Sequence, residues 1–269
     1  MEMMKRIVLI CVVAAVFLAA MKGGEMTTGI GLPDWGRIKK GVAVSPVSDL
    51  GELAARLGSI NTFDRRGDTV WMDDFEDGII KWAAVAAGTG AAVVSDTTRA
   101  RSGAKSVKLT TGTTDPWSAE IAHLEAYPVL SKFGLECAAT VHVSLAALYV
   151  DLQIFTGSNV LQGQVAYDPG ADKLYYMDSA GILQELVTAV DLEENTQLFH
   201  MFKLVVDASG EQYRRLIVDA TEHDLSAYSL RKAADTTSPY MQVRIIAVGG
   251  SGGNYSIYVD NVIITQNEP

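Results

Sequence analysis

From Thr69 to the end of the chain, apolar and polar residues alternate with a period of two. The alternation comes in short runs: TVWM, AAVVS, KSVKLTT, AEIAHL, ECAATVHVS, LYVDLQIF, VLQGQVAY, KLYYMD, LQELVTAV, HMFKLVVD, YRRLIVDA, MQVRIIAV and YSIYVDNVIIT, each bounded by Gly, Asp, Asn, Ser or Pro. A period of two sends successive side chains to opposite faces of a sheet, so each run reads as a strand with one face in a core. About thirteen such strands, with hardly any helical pattern between them, predict an all-β chain: an antiparallel two-sheet jelly-roll β-sandwich over residues 69–269. No repeat of fixed period is visible, which argues against a propeller or solenoid.

The preceding residues have a different texture. Residues 7–21, IVLICVVAAVFLAAM, carry no charge and follow the basic MEMMKR, the pattern of a signal peptide. The run is shorter than the roughly 20 residues a bilayer span needs. No clean A-x-A site precedes Lys22, so residues 1–21 read as a signal-like segment or a retained anchor. Residues 22–68 form a short helical or extended preamble. In it GGEMTTGIGLPDWG is linker-like, while SDLGELAARLGSI places Leu50, Leu53 and Leu57 on one helical stripe, with Ser48 as N-cap and Gly58 as stop. The polar face of that stripe is not basic, which disfavours a membrane-surface role.

Charge and cysteine content narrow the partners. A formal charge of −10 without a Lys/Arg-rich run excludes nucleic acid as a natural partner. The two cysteines, Cys11 and Cys137, give no disulfide framework, and Cys137 is expected to be a buried, inert thiol. The N-terminal signal points to a secreted, cell-surface or virion-surface protein.

The order FEDG, then Trp82, then ARSGAKSVKLT and finally YSIYVDNVIIT resembles the carbohydrate-binding-module jelly rolls and the related concanavalin-like sandwiches. The stretch FHMFKLVVDASGEQYRRLIVDATEHDLS is similar to the hairpin of laminin-G and lectin sandwiches. The preamble LGELAARLGSINTFDRRGDTVWMDDFE also resembles that of uncharacterised phage or environmental surface proteins. In the binding modules, the Glu of the FE pair and the Asp of the last strand meet beside the SG loop and hold a structural calcium ion. The resemblance places that ion at Glu76, Asp260, Ser102 and Gly103. Calcium takes six to eight oxygen ligands, so two carboxylates plus hydroxyl and carbonyl oxygens suit it. The other reading is that Asp73, Asp74, Glu76 and Asp77 merely solvate a strand end.

Catalytic signatures are absent. Glycan-cleaving enzymes of this sandwich resemble one another in an E-x-D-x-x-E arrangement, which does not occur here, and glycoside hydrolysis needs two carboxyls flanking the bond. The acids of DLEEN, Asp191–Asn195, read as a turn. His123, His142, His200 and His223 show no metal-ligand spacing, and His223 between Glu222 and Asp224 reads as a solvated turn. These absences predict a chain that is not an enzyme.

Binding is better supported. In YVDLQIF, Val150, Leu152 and Ile154 share one face and Tyr149, Asp151, Gln153 and Phe155 the other. Gln162, Gln164, Gln242 and Arg244 have the same outward parity, giving an amide and aromatic surface suited to a glycan or to a protein partner; Trp117, Tyr175 and Tyr176 are candidates to extend it. The leading expectation is a non-catalytic structural subunit of an extracellular or virion assembly. It self-associates or docks on neighbouring surface subunits, touching a membrane only through residues 7–21 if these stay attached. The alternative is a secreted or surface-anchored carbohydrate-binding or adhesion module, and the third a glycan-cleaving enzyme.

Overall fold

A computed structural model of the chain describes residues 63–127, 129–250 and 252–269. Among these residues sixteen strands form and no helix. The strands are β1 (Asp68–Asp73), β2 (Ala83–Ala87), β3 (Ala92–Asp96), β4 (Ser106–Thr110), β5 (Ser118–Glu125), β6 (Lys132–Thr140), β7 (Leu145–Phe155), β8 (Asn159–Asp168), β9 (Lys173–Met177), β10 (Leu183–Thr188), β11 (Phe199–Asp207), β12 (Gln212–Val218), β13 (Thr221–Asp224), β14 (Arg231–Ala234), β15 (Tyr240–Gly249) and β16 (Ser256–Gln266). The first sheet runs β13-β12-β11-β6-β16-β4-β3, with β1 also on β16. The second runs β10-β9-β8-β7-β15-β5-β2, with β14 also on β8. All pairs are antiparallel, as the alternation predicts.

One face of each sheet forms the core. From β7 it receives Leu148, Val150, Leu152 and Ile154, from β15 Met241, Val243, Ile245 and Ala247, and opposite them come Phe133, Leu135 and Cys137 of β6 and Phe202, Leu204 and Val206 of β11. Cys137 is fully buried, and burial pushes its thiol well above the usual range, so it is inert.

The candidate helix at Leu50, Leu53 and Leu57 and the segment 1–21 lie outside the described residues. Three strands escape the alternation: β2 (AAVAA), β13 (TEHD) and β14 (RKAA). Each is short and largely exposed, so neither face demands apolar residues and no period of two develops. His223 therefore belongs to the edge strand β13, not to a solvated turn.

Asp191–Asn195 is loop, as expected, and it is held to the sandwich by a histidine. His200 is buried, with Nδ1 2.7 Å from Asp219 and Nε2 3.0 Å from the Glu193 carbonyl oxygen. Burial opposes its charge, but the Asp219 carboxylate and the Glu193 carbonyl outweigh it and raise the imidazole pKa. A raised histidine stabilises the fold below its unfolded pKa and loses that contribution as pH rises through the folded one. Urea unfolding between pH 5 and 8 is expected to show the wild type losing stability relative to Asp219→Asn as pH rises. Parallel profiles would contradict the pairing.

Candidate functional site

The outward face of the second sheet brings together all eight residues chosen from parity. On β15, Arg244 registers opposite Asp151 of β7, and Gln164 of β8 flanks Asp151 on its other side. In the next row Gln242, Gln153 and Gln162 lie side by side, and beyond them Tyr240, Phe155 and Val160. Tyr149 sits one row the other way, beside Ile246.

The register builds a network around one carboxylate. Asp151 accepts hydrogen bonds from Gln162 Nε2 at 2.9 Å, Gln153 Nε2 at 3.1 Å and Arg244 Nε at 2.7 Å, and it pairs with the Arg244 Nη2 as well. Arg244 also reaches Glu120 of β5 at 3.6 Å. Parity alone suggested a fully displayed surface. Instead Asp151 is 0% exposed, and Phe155, Gln162 and Gln164 are buried, because neighbouring amides and the guanidinium close over the carboxylate. Burial pushes the Asp151 carboxyl up against the pull of Arg244 and the two amides. Glu120 is raised chiefly by burial; Arg244 opposes the shift and the Asp151 charge adds to it. Burial likewise raises Tyr149.

Beside this network lies a depression of about 360 Å³ lined by Gln153, Phe155, Val160, Gln162, Arg231, Ala233, Ala234 and Asp235. Phe155, which lines it, packs against Tyr240 with ring centroids 4.5 Å apart and planes tilted by 30°. Sequence reading missed Glu120, which lies in AEIAHL, and Arg231, because β14 shows no alternation. Tyr175 shares the outward face opposite Ala166, whereas Tyr176 turns inward to stack on Tyr228. Trp117 lies in the loop before β5.

The residues chosen for calcium border one loop, residues 101–105. On β16 the β4 pairing ends at Val259 and the β1 pairing begins at Val262, and the gap holds Asp260 and Asn261. Asp260 accepts the N–H groups of Arg101 and Ser102 at 2.7 and 3.1 Å, while Glu76 Oε1 accepts those of Ala104 and Lys105 at 2.7 and 2.8 Å. A side chain at Gly103, where φ is +67°, would strike Glu76 Oε1 at 2.2 Å, so this loop needs glycine. Burial pushes the Asp260 carboxyl up to about 6. Among the described residues no three acid, His or Cys side chains form a metal-binding cluster, and the Ser102 hydroxyl donates to Asn261 Oδ1 at 2.8 Å; a calcium ion here would draw on Glu76, Asp260, the Ser102 oxygen and loop carbonyls near Gly103.

Asp73 corrects the picture of a solvated acidic strand end. It is buried and accepts the Trp82 indole N–H and the Lys81 ammonium, each at 2.8 Å; Trp82 meets Trp71 edge-on, and Trp71 stacks on His123 at 3.8 Å. The WMDDFEDGIIKW run is thus a structural corner. Phe75 adopts φ +60° at its turn and is fully buried against Trp82.

No family model matches the chain, and no curated protein does. Among solved structures it is similar to an endo-β-1,4-glucuronan lyase from the fungus Trichoderma reesei, with 12% identity over 74% of this chain and 96% of that one and a TM-score of 0.53. It is also similar to a carbohydrate-binding module of the β-sandwich superfamily, with 15% identity over 76% and 64% and a TM-score of 0.44. A third is a Bacillus licheniformis β-glucanase, with 10% identity over 75% and 99% and a TM-score of 0.47. The expectation that the chain is not an enzyme is thereby corrected: structures of this fold include a glycan-cleaving lyase, so the absence of E-x-D-x-x-E does not exclude glycan chemistry. The chain therefore has an antiparallel two-sheet jelly-roll β-sandwich fold similar to that of the glucuronan lyase.

Proposed function

We propose that the chain is a carbohydrate-binding, glycan-active protein whose ligand lies across the outward face of the second sheet. The observation that carries this reading is the Asp151 network. One buried carboxylate orients Gln153, Gln162 and Arg244 beside a depression walled by Phe155. Fixed amides suit sugar hydroxyls, and an apolar wall suits the C–H face of a sugar ring, the combination that makes small-molecule sites specific. This supports the binding-module alternative over the assembly subunit, whose N-terminal elements fall outside the described residues. The signal-like residues 7–21 support an exported location, where such glycans occur.

Glycan-array screening followed by calorimetry tests the proposal. Saturable binding is expected, weakened about tenfold by Gln153→Ala, the loss that a hydrogen-bonding side chain worth about 1.4 kcal/mol gives. Absence of binding to any polysaccharide would overturn it. Assaying the same mixtures for new chain ends separates binding from cleavage.

We also propose a structural calcium ion at Glu76 and Asp260, supported by the convergence of two carboxylates on one tight loop. Calcium is expected to raise the melting temperature of the wild type after chelator treatment, and not that of Glu76→Ala or Asp260→Ala. A wild type indifferent to calcium would rule the ion out.

A further inference from the structure

Charge on the outward face of the second sheet is unevenly cancelled. Arg244 is neutralised by Asp151 with Glu120 nearby, and Lys173 pairs with Glu185 across β9 and β10 at 2.5 Å. Arg231 differs: its Nη1 donates to the neutral Oε1 of Gln162 at 2.8 Å, and no ion pair joins it to a carboxylate among the described residues. A guanidinium carries five N–H donors, so this cation retains most of its donor capacity.

Its position is built. Gln162 is 5% exposed and gives its Nε2 to Asp151, which turns its Oε1 toward Arg231 and fixes the amide at both ends. The Arg231 stem passes over Gly181, where a side chain would meet Cδ and Nε at 3.1 Å. The head lines the depression together with Gln153, Phe155 and Val160. Asp235, the carboxylate in that lining, accepts the Thr237 N–H at 2.8 Å within its own turn and makes no ion pair with Arg231.

A half-buried guanidinium with free donors, set in an amide-lined hollow with an apolar wall, selects a planar or trigonal anion by paired N–H···O bonds. We propose that Arg231 is the specificity determinant of this face and that the hollow takes an acidic sugar residue, its anionic substituent held by Arg231 and its ring against Phe155. This rests on the glycan-binding reading and adds to it the class of glycan. A carboxylate and a sulfate ester present the same chemistry to the guanidinium.

The test is calorimetry with three hexasaccharide probes: a neutral glucan, a polyuronate and a sulfated glucan. The wild type is expected to bind at least one acidic probe ten times more tightly than the neutral one, with the preference shrinking as salt is raised. The stronger of the two acidic probes identifies the substituent. In Arg231→Gln the ratio of acidic to neutral affinity is expected to fall to about one, while Arg231→Lys, which keeps the charge, retains a ratio above one. Equal wild-type affinities for acidic and neutral probes, or a ratio unchanged in Arg231→Gln, would overturn the subsite alone. A wild type that binds none of the three, or any other glycan, overturns both this inference and the reading beneath it.

Discussion

Replacing Glu268 by alanine is expected to lower the unfolding free energy by about 3 kcal/mol, the cost of leaving buried cations without their partner. On the outward face of the first sheet Lys203 is 0% exposed, registers opposite Glu136, and reaches Glu268 at 2.8 Å and Asp64 at 3.1 Å. Arg215 pairs with the same Glu268 carboxylate and donates to the Pro269 carbonyl at 3.1 Å. Glu136 is raised by burial and accepts the N–H groups of Phe63 and Asp64. The network thus ties Phe63 and Asp64, ahead of β1, and Glu268 and Pro269, after β16, to the three strands β6, β11 and β12. Asp64 stays in place as a partial partner, which keeps the expected loss at the lower end of the range for broken buried pairs. Urea denaturation measures it. Adding Lys203→Met to Glu268→Ala should recover part of the loss, since the two residues are coupled. A loss well under 1 kcal/mol would mean that Asp64 alone suffices.

That network shows what was legible and what was not. GLECAA and MFKLVV each place one charge in an otherwise apolar strand, a signal that the residue must find a buried partner. Their pairing depends on β6 and β11 being neighbours, which no local pattern encodes. The eight-residue face was legible because parity is local and strict: a strand that buries Val150, Leu152 and Ile154 has to send Tyr149, Asp151, Gln153 and Phe155 outward. How deeply Asp151 would sink was not, because that depends on Gln162 and Arg244 arriving from adjacent strands. Edge strand β14, and with it Arg231, left no trace in the alternation because its residues are partly exposed on both sides. The placing of Glu76 and Asp260 on one loop came from resemblance and not from periodicity.

Asp151→Asn is expected to weaken glycan binding about thirtyfold, some 2 kcal/mol, the effect of losing a central anchoring group. The amide retains the size of the carboxylate but turns one acceptor into a donor facing Arg244 and the Gln153 and Gln162 amides. Their orientation is what the site offers a sugar, so affinity should fall along with stability, which is expected to drop by about 1–3 kcal/mol through the unsatisfied buried groups. Calorimetry on the folded variant checks the first figure and urea unfolding the second. A folded variant with unchanged affinity would show that the network is structural only.

Hydrogen–deuterium exchange of the wild type with and without a saturating oligosaccharide tests the location of the site most directly. Slowed exchange confined to β7, β8, β14 and β15, around Asp151, Gln162, Arg231 and Arg244, is the predicted result. Protection that appears instead on the outward face of the first sheet or in the loop at residues 99–105, with the second sheet unchanged, would contradict it.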